Sequence, residues 1–578
     1  MLTPFGEKLN PDCPLQEHPR PQLERAKWLN LNGKWDYAIT ETRADETAPA
    51  QWDGQIVVPF SPEAPLSGVN RTLDSQHTLW YRLTLPLDGW MVDGQRTLLH
   101  FDAVDQEATV YINGQEAGRH MGGYTAFCLD ITPYLTGKDD QLIVRVHDDT
   151  DASWHSRGKQ SSKRGGIWYT PQSGIWQTVW LEVVPENYIT GLHFTPDMDA
   201  GVLRITATAN GEGECVLTLE GKEHRFPANQ PAEIPVENVR LWSPEDPHLY
   251  PFTLQFGEDR VSSYFAMRKT EVREDEKGVK RLFLNGRPCF HNGLLDQGYW
   301  PDGLYTPPSD EAMIYDIQTM KDLGFNMLRK HIKVEPMRWY YHCDRLGMLV
   351  WQDMINGGGQ YKFGVISVPL VTGLYMKDSR YKAFARESEE GRREYYQELQ
   401  EMILQLRNVP SIVLWVPFNE GWGQFDAAEA CRRIHGLDAS RPIDHASGWH
   451  DQKIGDIQSL HVYFRPYRFK RDRKNRAVVL SEFGGYNLPV ENHTWNDANF
   501  GYKGFSSKEE LWHAYEKLYR EQILPAIPKG LAASVYTQVT DVEDEVNGLM
   551  TYDRKVVKVP REEIRKLNAQ VILLGEGK

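Results

Sequence analysis

Long apolar runs are the first feature that this sequence lacks. No uninterrupted apolar segment is long enough to cross a bilayer, and the opening residues MLTPFGEKLNPDC do not place an apolar stretch after a basic start. A membrane-spanning protein and a secreted protein are therefore both unexpected. The sequence predicts a soluble, cytoplasmic protein with no membrane contact.

Cysteine motifs and excess positive charge are missing as well. The six cysteines (Cys13, Cys128, Cys215, Cys289, Cys343 and Cys431) are scattered, with no paired spacing typical of metal ligands. This pattern predicts reduced, mostly buried thiols, and we expect neither a metal site nor a cofactor. Lysine and arginine number 65 against 80 acidic residues, a net charge of -15 without a long basic run, which argues against a nucleic-acid partner.

Aromatic residues, by contrast, are plentiful. The chain contains 18 Trp and 27 Tyr, more aromatic surface than a core needs, and such rings stack well on the flat, apolar faces of sugars. At 578 residues the chain is long enough for about two to four domains, each with a core of ordinary size. A carbohydrate ligand is the first partner that this composition favours.

The first part of the chain is predicted to be a β-sandwich, over residues 1–185. Apolar and polar residues alternate at period two in NLNGKWDYAI, TLWYRLTLPL, TVYINGQEAG and QLIVRVHDD, and the pairs Asn32-Gly33 and Asn113-Gly114 predict hairpin turns. From 186 to 272 the strands are shorter, with Gly and Pro between them. They predict a second, smaller sandwich of immunoglobulin size.

The remainder, 273–578, alternates strands and helices. Amphipathic helices are predicted for SDEAMIYDIQTMKDLG, for Ser379 to Leu406 and for KEELWHAYEKLYREQ. The candidate strands are RPCFHNGLL, NMLRKH, MLVWQDM, SIVLWVPFNE, RPIDHAS, DIQSLHVY, AVVLSEFG and LAASVYTQV. Eight strands with interleaved helices predict a (β/α)8 barrel, whose active site lies at the carboxyl ends of the strands.

Two of these strands end in a glutamate. Glu420 closes the apolar run of VLWVPFNEGWGQ, and Glu482 closes that of AVVLSEFGGY. Hydrolysis of a glycosidic bond requires one carboxylic acid to protonate the leaving oxygen and one carboxylate to attack or stabilise the anomeric carbon. A single strand-end glutamate would more often be a salt-bridge partner at the barrel rim, whereas two of them followed by Gly and aromatics favour catalysis.

NE after one strand and SEFGG after a later one resemble the signature of glycoside hydrolase family 2. NLNGKWDYAI, LWYRLTLPL, SGIWQTVWLE, LWSPEDPHLYPFTLQ and LGFNMLRKHIKVEPMRWYYHCDRLGMLVWQDM match that family in order along most of the chain. The resemblance implies a sugar-binding jelly roll, an immunoglobulin-like sandwich and a catalytic TIM barrel. It also implies that Glu420 is the general acid and base and Glu482 the nucleophile of a retaining double displacement, about 5–5.5 Å apart.

The resemblance assigns roles to neighbouring side chains. Asn419 would bind the sugar 2-hydroxyl, Tyr463 would hydrogen-bond Glu482, and Arg329 would pair with the nucleophile region or form a structural ion pair. Asp353 is a candidate hydroxyl acceptor or a cap.

Three further side chains are candidates for sugar contact. His461 faces the same way as Tyr463 and is either a sugar contact or a satisfied barrel histidine. Trp422 lies two residues beyond Glu420. His331 is one position earlier than the family spacing, so its side chain is expected to point elsewhere.

Departures from the family pattern concern which sugar is bound. Thr178 stands where large β-galactosidases carry an aspartate for galactose and sodium. Where β-glucuronidases carry Asn, any residue and Lys to hold the substrate carboxylate, this chain reads Glu545, Val546, Asn547. A glutamate there would repel a uronate, although Lys503 or Lys555 could replace the missing lysine.

The sequence therefore predicts a retaining exo-β-glycosidase with a β-galactosidase-like preference, acting on a carbohydrate as a possible homo-oligomer. A β-glucuronidase or β-mannosidase of the same mechanism is the alternative. A non-catalytic carbohydrate-binding protein is the alternative from another class. The segment after Glu482, NLPVENHTWNDANFGYKGF, either lines the pocket or is a surface loop.

Overall fold

The N-terminal part of the chain is a β-sandwich. The computed structural model describes residues 1–42, 47–87, 89–90 and 94–577. One antiparallel sheet contains Gly54–Val58, Gly33–Glu41, His77–Thr84, Gln141–His147, Glu107–Ile112 and Gln115–Met121, in this order. The facing sheet contains Trp28–Asn30, Val179–Pro185, Gln95–Phe101 and Phe127–Asp130, and Val104–Asp105 pairs with Gly174–Ile175. Leu142, Val144 and Val146 alternate inward from one strand, as the period of two predicts.

One of the two predicted hairpins in this domain is confirmed and the other is wrong. Asn113 and Gly114 both have positive φ, 51° and 78°, and join two paired strands. The strands on either side of Asn32-Gly33 belong instead to different sheets. The reason is the Asn32 side chain, which accepts a hydrogen bond from the Val179 backbone N–H at 3.1 Å and thereby ties the crossing to the second sheet.

The second domain is an immunoglobulin-like sandwich. One sheet contains Ile189–Asp197, Val202–Ala209 and Pro231–Pro235, and the other contains Lys222–Pro227, Glu214–Leu219, Tyr250–Phe256 and Asp259–Phe265. Buried side chains from both sheets, among them Leu203, Leu217 and Phe252, form a separate core. A small antiparallel sheet of Thr270–Glu274, Lys280–Leu284 and Arg287–Pro288 leads from this domain into the barrel.

The third domain is the TIM barrel that the sequence predicts. Its curled parallel sheet contains Ile412–Val416, Leu349–Asp353, Met327–Lys330, His291–Asp296, Leu531–Thr537, Ala477–Gly484 and Ile457–Val462, in this order. All residues of Leu349–Asp353, Ile412–Val416 and Ala477–Gly484 are buried, which explains why these strands read as continuous apolar runs. Short paired segments at Tyr486–Asn487 and Lys503–Gly504 follow the Glu482 strand.

The fifth predicted strand, RPIDHAS, has little regular pairing. Ile443 and Ser447 each form an isolated parallel bridge, to Trp415 and Asn419 respectively. The backbone N–H of Glu420 donates to the carbonyl of Ser447 at 2.8 Å, so this segment still fixes the end of the strand that carries Glu420.

Serine caps define where three of the barrel helices begin. The helices are Asp310–Asp322, Met337–Leu346, Phe363–Thr372, Glu389–Leu406, Ala427–Leu437, Lys508–Leu518 and Arg561–Gly575, with a π turn at Tyr519–Ile523. Ser309, Ser388 and Ser507 each accept a hydrogen bond from a backbone N–H of the first helical turn. The helix predicted from Ser379 therefore begins ten residues later, at Glu389, because Ser388 caps it.

Two simpler expectations can be compared with the structure. In the part of the chain that the structure describes, no helix is both long enough and apolar enough to span a bilayer. All six cysteines are free, and Cys215 and Cys343 are buried, whereas Cys13 and Cys128 are exposed. The thiols are thus less uniformly buried than expected.

Candidate active site

Glu420 and Glu482 meet at the mouth of the barrel. Both are buried, with 8% and 4% of their surfaces exposed. Three atoms of the site all lie within 4.8 Å of one another: a carboxylate oxygen of Glu420, a carboxylate oxygen of Glu482 and a ring nitrogen of His461. The two strand ends that the sequence singled out therefore place their carboxyl groups face to face.

Glu482 is held by hydrogen bonds at both oxygens. Arg329 Nη1 donates to Oε1 at 3.2 Å, and the Tyr463 hydroxyl donates to Oε2 at 2.6 Å. Burial and the adjacent Glu482 charge raise the pKa of Tyr463 well above its ordinary value, so the phenol keeps its proton. Together the two contacts fix the orientation of the carboxylate.

Arg329 organises the floor of the site. It is fully buried, donates from Nε to Asp353 at 3.0 Å and from Nη2 to the Asn419 side-chain oxygen at 2.9 Å. Burial alone would lower its pKa, but the charges of Asp353 and Glu482 raise it. One guanidinium thus links three strand ends.

Asp353 and His331 form the next pair below Arg329. His331 Nδ1 lies 2.7 Å from Asp353 Oδ2, and burial lowers the pKa of the imidazole well below its usual range, so the neutral ring donates this hydrogen bond. Lys330, the residue before it, points away from the site to Asp296 and Glu335. His331 therefore faces the site despite its shifted spacing, and Asp353 uses its oxygens to hold Arg329 and His331.

Glu420 has a left-handed backbone conformation, with φ of 51°. Such a conformation is uncommon for a residue with a side chain, and it is found preferentially at functional sites. His461 Nδ1 lies 2.7 Å from Glu420 Oε1, and the Trp422 indole N–H donates to Oε2 at 3.2 Å. His461 also lies 3.4 Å from Glu482 Oε2, between the two carboxylates.

These contacts decide the charge of Glu420. Burial alone would raise its pKa, but the hydrogen bond from His461 and the positive charge of Lys159 lower the pKa below the ordinary value for a glutamate. In the free site Glu420 is therefore an ionised carboxylate near neutral pH. A proton has to be taken up before it can act as an acid.

Asn419 keeps one donor unused. Its side-chain oxygen accepts from Arg329, but its amide nitrogen is buried and has no partner among the described residues. A buried amide without a hydrogen bond is costly, and a ligand hydroxyl would satisfy it. Asn419 is therefore oriented for contact with a ligand.

Aromatic rings form the walls of the mouth. Trp422 packs edge-on against Trp168, with ring centroids 5.0 Å apart, and against Tyr361 at 4.9 Å. Tyr502 stacks on Tyr463 at 3.8 Å, which places the segment after Glu482 in the pocket. Trp495 of the same segment lies outside this contact and packs under Arg164 at 4.4 Å.

Lys159 is the functional candidate that sequence reasoning missed. It belongs to a loop of the first sandwich, is 7% exposed, and its Nζ lies 5.6 Å from the Trp168 ring centroid. Its charge lowers the pKa of both Glu420 and Glu545, so the ammonium group lies within electrostatic range of both carboxyls. A lysine from another domain carries no local signal that would mark it as a site residue.

Glu545 is the second carboxyl group within electrostatic range of Lys159. Tyr169 donates its hydroxyl hydrogen bond to Glu545, and Asn547 Nδ2 donates to the same carboxyl at 3.2 Å. Burial raises the pKa of Glu545, and Lys159 opposes this shift. Asn547 has its oxygen occupied by Gln538 at 2.7 Å, so both ends of its amide are used inside the loop.

The other residues considered for sugar specificity lie elsewhere. Thr178 accepts a hydrogen bond from Asn32 inside the first sandwich, at 3.2 Å. Lys555 donates to Glu7 on the surface, and Lys503 is exposed beside Tyr486 and Phe505. The lysine that approaches Glu545 is therefore Lys159.

Chemically, the site combines two facing carboxylates with fixed hydrogen-bond donors. Glu420, His461 and Glu482 are also close enough to ligate a metal ion. However, the nitrogen of His461 that would ligate is the one hydrogen-bonded to Glu420, so the three side chains already satisfy one another. The arrangement suits an acid and a nucleophile acting on one bond.

Comparisons with known proteins agree with this architecture. Family models described as "Glycosyl hydrolases family 2, sugar binding domain", "Glycosyl hydrolases family 2" and "Glycosyl hydrolases family 2, TIM barrel domain" match residues 28–185, 187–268 and 280–489. A structure titled as a β-glucuronidase of an uncultured Clostridium species superposes with a TM-score of 0.74 at 18% identity, covering 95% of this chain and 99% of that one. At that identity the likeness shows the fold.

Curated relatives match this chain over only part of their own length. The β-galactosidase of Thermoanaerobacter pseudethanolicus is 25% identical over 454 residues, which is 73% of this chain and 56% of that protein. A putative β-glucuronidase of Formosa agariphila is 25% identical over 363 residues, 56% of this chain and 41% of that protein. The chain thus spans about half the length of these relatives.

Proposed function

Because the chain belongs to glycosyl hydrolase family 2, we propose that it is a retaining exo-β-glycosidase in which Glu482 is the nucleophile and Glu420 the general acid and base. The observation that carries the proposal is the facing of the two carboxylates within 4.8 Å. Retaining enzymes hold this pair at about 5–5.5 Å, whereas inverting enzymes need about 6.5–9.5 Å to admit a water molecule.

In the first step, Glu482 attacks the anomeric carbon and Glu420 protonates the departing oxygen. Glu482 is positioned to attack because Arg329 and Tyr463 each hold one of its oxygens by a hydrogen bond. Glu420 needs a proton first, and a leaving oxygen that displaces the His461 hydrogen bond would remove the contact that lowers its pKa. The glycosidic C–O bond breaks, and a glycosyl ester of Glu482 forms.

In the second step, Glu420 removes a proton from water, which attacks the anomeric carbon and releases Glu482. The buried Asn419 amide supplies a donor for the 2-hydroxyl, a contact that strengthens as positive charge develops on the ring. Glu420 is then protonated again, and it returns to the ionised form hydrogen-bonded to His461 when it releases this proton to solvent.

The pocket suits a terminal sugar. The loop of the first sandwich that carries Lys159 and the loop that carries Glu545 meet through the Tyr169 hydrogen bond. We propose that this junction closes one side of the mouth and thereby favours removal of a single non-reducing residue. We further propose a neutral, galactoside-like sugar, because Lys159 and Glu545 together present a balanced pair of charges suited to hydroxyl groups.

Lys159 also favours a second candidate. A buried ammonium near the pocket could pair with the carboxylate of a uronic acid, while the raised pKa of Glu545 would ease its neutralisation. A β-uronidase of the same mechanism is therefore the alternative. The two candidates differ in the sugar and share Glu420 and Glu482.

Covalent trapping tests the proposed roles. Wild-type protein is incubated with a panel of 2-deoxy-2-fluoro β-glycosyl fluorides, galactosyl and glucuronyl included, and digested peptides are sequenced by mass spectrometry. A sugar ester on Glu482 is expected, because the fluorine slows hydrolysis of the intermediate. Glu482→Gln keeps the shape but removes the attacking carboxylate, so it should stay unlabelled.

The trapping experiment has three outcomes that oppose the proposal. A label on a different residue, or a label that survives in Glu482→Gln, would remove Glu482 from its role. The absence of label and turnover with every glycoside tested would instead favour a carbohydrate-binding protein. Proton NMR of the first product formed checks retention, since the β anomer should appear before mutarotation.

A further inference from the structure

A long groove runs away from the catalytic mouth. It has a volume of about 1160 Å³ and is lined by residues 369, 373–377, 448–449, 451–453, 463–468, 470–474 and 476, together with side chains of strand Ile457–Val462. His461 and Tyr463 lie at its inner end. Because His461 contacts Glu420, the groove approaches the site from the side on which a leaving group would depart.

The groove is strongly basic. Among the described residues that line it are nine lysines and arginines and two acidic residues, in a chain whose net charge is -15. One wall carries most of the cations: Arg465, Arg468, Lys470, Arg471, Arg473 and Lys474. A basic cleft in an acidic protein concentrates anions, because its field opposes that of the remaining surface.

Most of this positive charge is uncompensated. The two acidic residues of the groove, Asp451 and Asp472, both pair with Arg476, at 2.7 and 2.9 Å. Arg465, Arg468 and Arg473 are exposed and form no ion pair with any residue in the described part of the chain. Their guanidinium groups are therefore available to carboxylate or sulfate groups, which they can bind through two hydrogen bonds.

Aromatic rings accompany the cations. Tyr375 is 41% exposed and Phe464 is 67% exposed, while Trp449 packs 6.0 Å from His461 at the inner end. Exposed rings beside a catalytic mouth suit the apolar faces of successive sugars. The continuity of the groove with a glycosidase site favours a charged glycan over a nucleic acid.

We infer that this groove binds the leaving-group part of the substrate and that this part is an anionic oligosaccharide. The inference rests on the proposed glycosidase function and specifies its substrate class. Carboxylate-bearing and sulfate-bearing sugars share the chemistry that the arginines recognise. The enzyme would then trim the non-reducing ends of such oligosaccharides, one residue at a time.

Binding tests the groove separately from catalysis. The full chain carrying Glu482→Gln, which blocks turnover, is titrated calorimetrically with tetragalacturonate, a heparin tetrasaccharide and neutral cellotetraose. At least one anionic tetrasaccharide should bind about tenfold or more tightly than cellotetraose at low salt, and the difference should shrink as salt screens the charges. The two anionic probes distinguish carboxylate from sulfate recognition.

Variants then locate the binding. Arg465→Gln, Arg468→Gln and Arg473→Gln combined should abolish the preference for the anionic probe. A control with the same charge change on the immunoglobulin-like domain, Lys222→Gln, Arg225→Gln and Arg260→Gln, should keep it, since these exposed cations lie outside the groove. When the three groove substitutions are made in the active protein instead, kcat/KM for an uncharged aryl glycoside should differ from the wild-type value by less than about twofold.

Several outcomes would overturn the inference. These are equal binding of neutral and anionic probes, equal losses in the groove and control variants, or tighter binding of single-stranded oligothymidylate than of both anionic tetrasaccharides. If aryl glycosides are turned over but no anionic probe binds selectively, the inference about the groove is wrong and the proposed function still stands. If an anionic probe binds selectively but no glycoside is turned over, the groove binds the inferred ligand and the proposed function is wrong.

Discussion

Arg329 and Glu482 face each other across the barrel mouth, with Nη1 and Oε1 3.2 Å apart and both side chains buried. The same guanidinium also bonds Asn419 and Asp353, so its position fixes the nucleophile relative to the residue that precedes the acid. A planar group with five donors can hold three strand ends in register. A lysine, with a single charged nitrogen on a flexible chain, cannot.

Substitution of Arg329 is the first prediction. Arg329→Lys keeps the charge but loses the fork, and kcat should fall by about a hundredfold or more as Glu482 and Asn419 lose their orientation. Arg329→Met should in addition lower the free energy of unfolding by about 3–5 kcal/mol, because Asp353 is left as an unpaired buried charge. Steady-state kinetics and denaturant unfolding measure these effects. Full activity in the lysine variant would contradict the positioning role.

Removal of the acid is the second prediction. For Glu420→Ala, a glycoside with a poor leaving group, such as an alkyl glycoside, should lose about 10²–10⁴-fold in rate. A dinitrophenyl glycoside should retain most of its first step, because its leaving group needs no proton. Azide should restore part of the turnover and yield a glycosyl azide of retained configuration. Equal losses for both leaving groups would mean that Glu420 is not the acid.

The barrel and its two glutamates could be predicted from the sequence because their signals are local. Buried parallel strands read as apolar runs, and the residue at the end of such a run is directed to the mouth by the fold itself. The Asn32-Gly33 turn failed because a long-range hydrogen bond to Val179 overrides the local preference. Lys159 could not be found, since its place in the site results from the packing of one domain against another.

The basic groove could not be predicted from the sequence either. Residues 465–476 contain seven lysines and arginines, yet the net charge of the whole chain is strongly negative, and composition argued only against a nucleic-acid partner without pointing to a basic surface. Only the folded chain places these cations along one wall that ends at His461. Overall charge predicts solubility and association more reliably than it predicts a particular surface.

The pH dependence is the third prediction. His461→Phe removes the donor that favours ionised Glu420, so the pKa of Glu420 should rise. Because the acid must be protonated, the alkaline limb of kcat/KM, which reports this pKa in the free enzyme, should move to higher pH. Trp422→Phe removes the weaker 3.2 Å contact and should move the limb less in the same direction. A limb that stays in place or moves to lower pH would contradict the role of His461.

The last prediction concerns the sugar. The charge of Lys159 already offsets Glu545, so a uronate carboxylate brought near the pair would add an uncompensated negative charge at a cost of about 1–3 kcal/mol, and wild-type kcat/KM should be at least about tenfold higher for a β-galactoside than for the β-glucuronide. Lys159→Met should widen this ratio, because the ammonium is the charge that offsets Glu545. Glu545→Gln should narrow it, because the repulsion is removed.

The three proteins are compared on paired nitrophenyl substrates in one buffer, with thermal unfolding as a check that each variant is folded. The ratio of the two kcat/KM values cancels any general loss of activity, and since the C4 difference between the two sugars is the same for all three proteins, the change in this ratio from one protein to another reports the charge preference of the pocket. A wild-type preference for the glucuronide that disappears in Lys159→Met would show that the lysine, and not Glu545, determines the sugar. The enzyme would then be a uronidase whose carboxylate-binding cation is supplied by the first sandwich, while the roles of Glu420 and Glu482 would be unchanged.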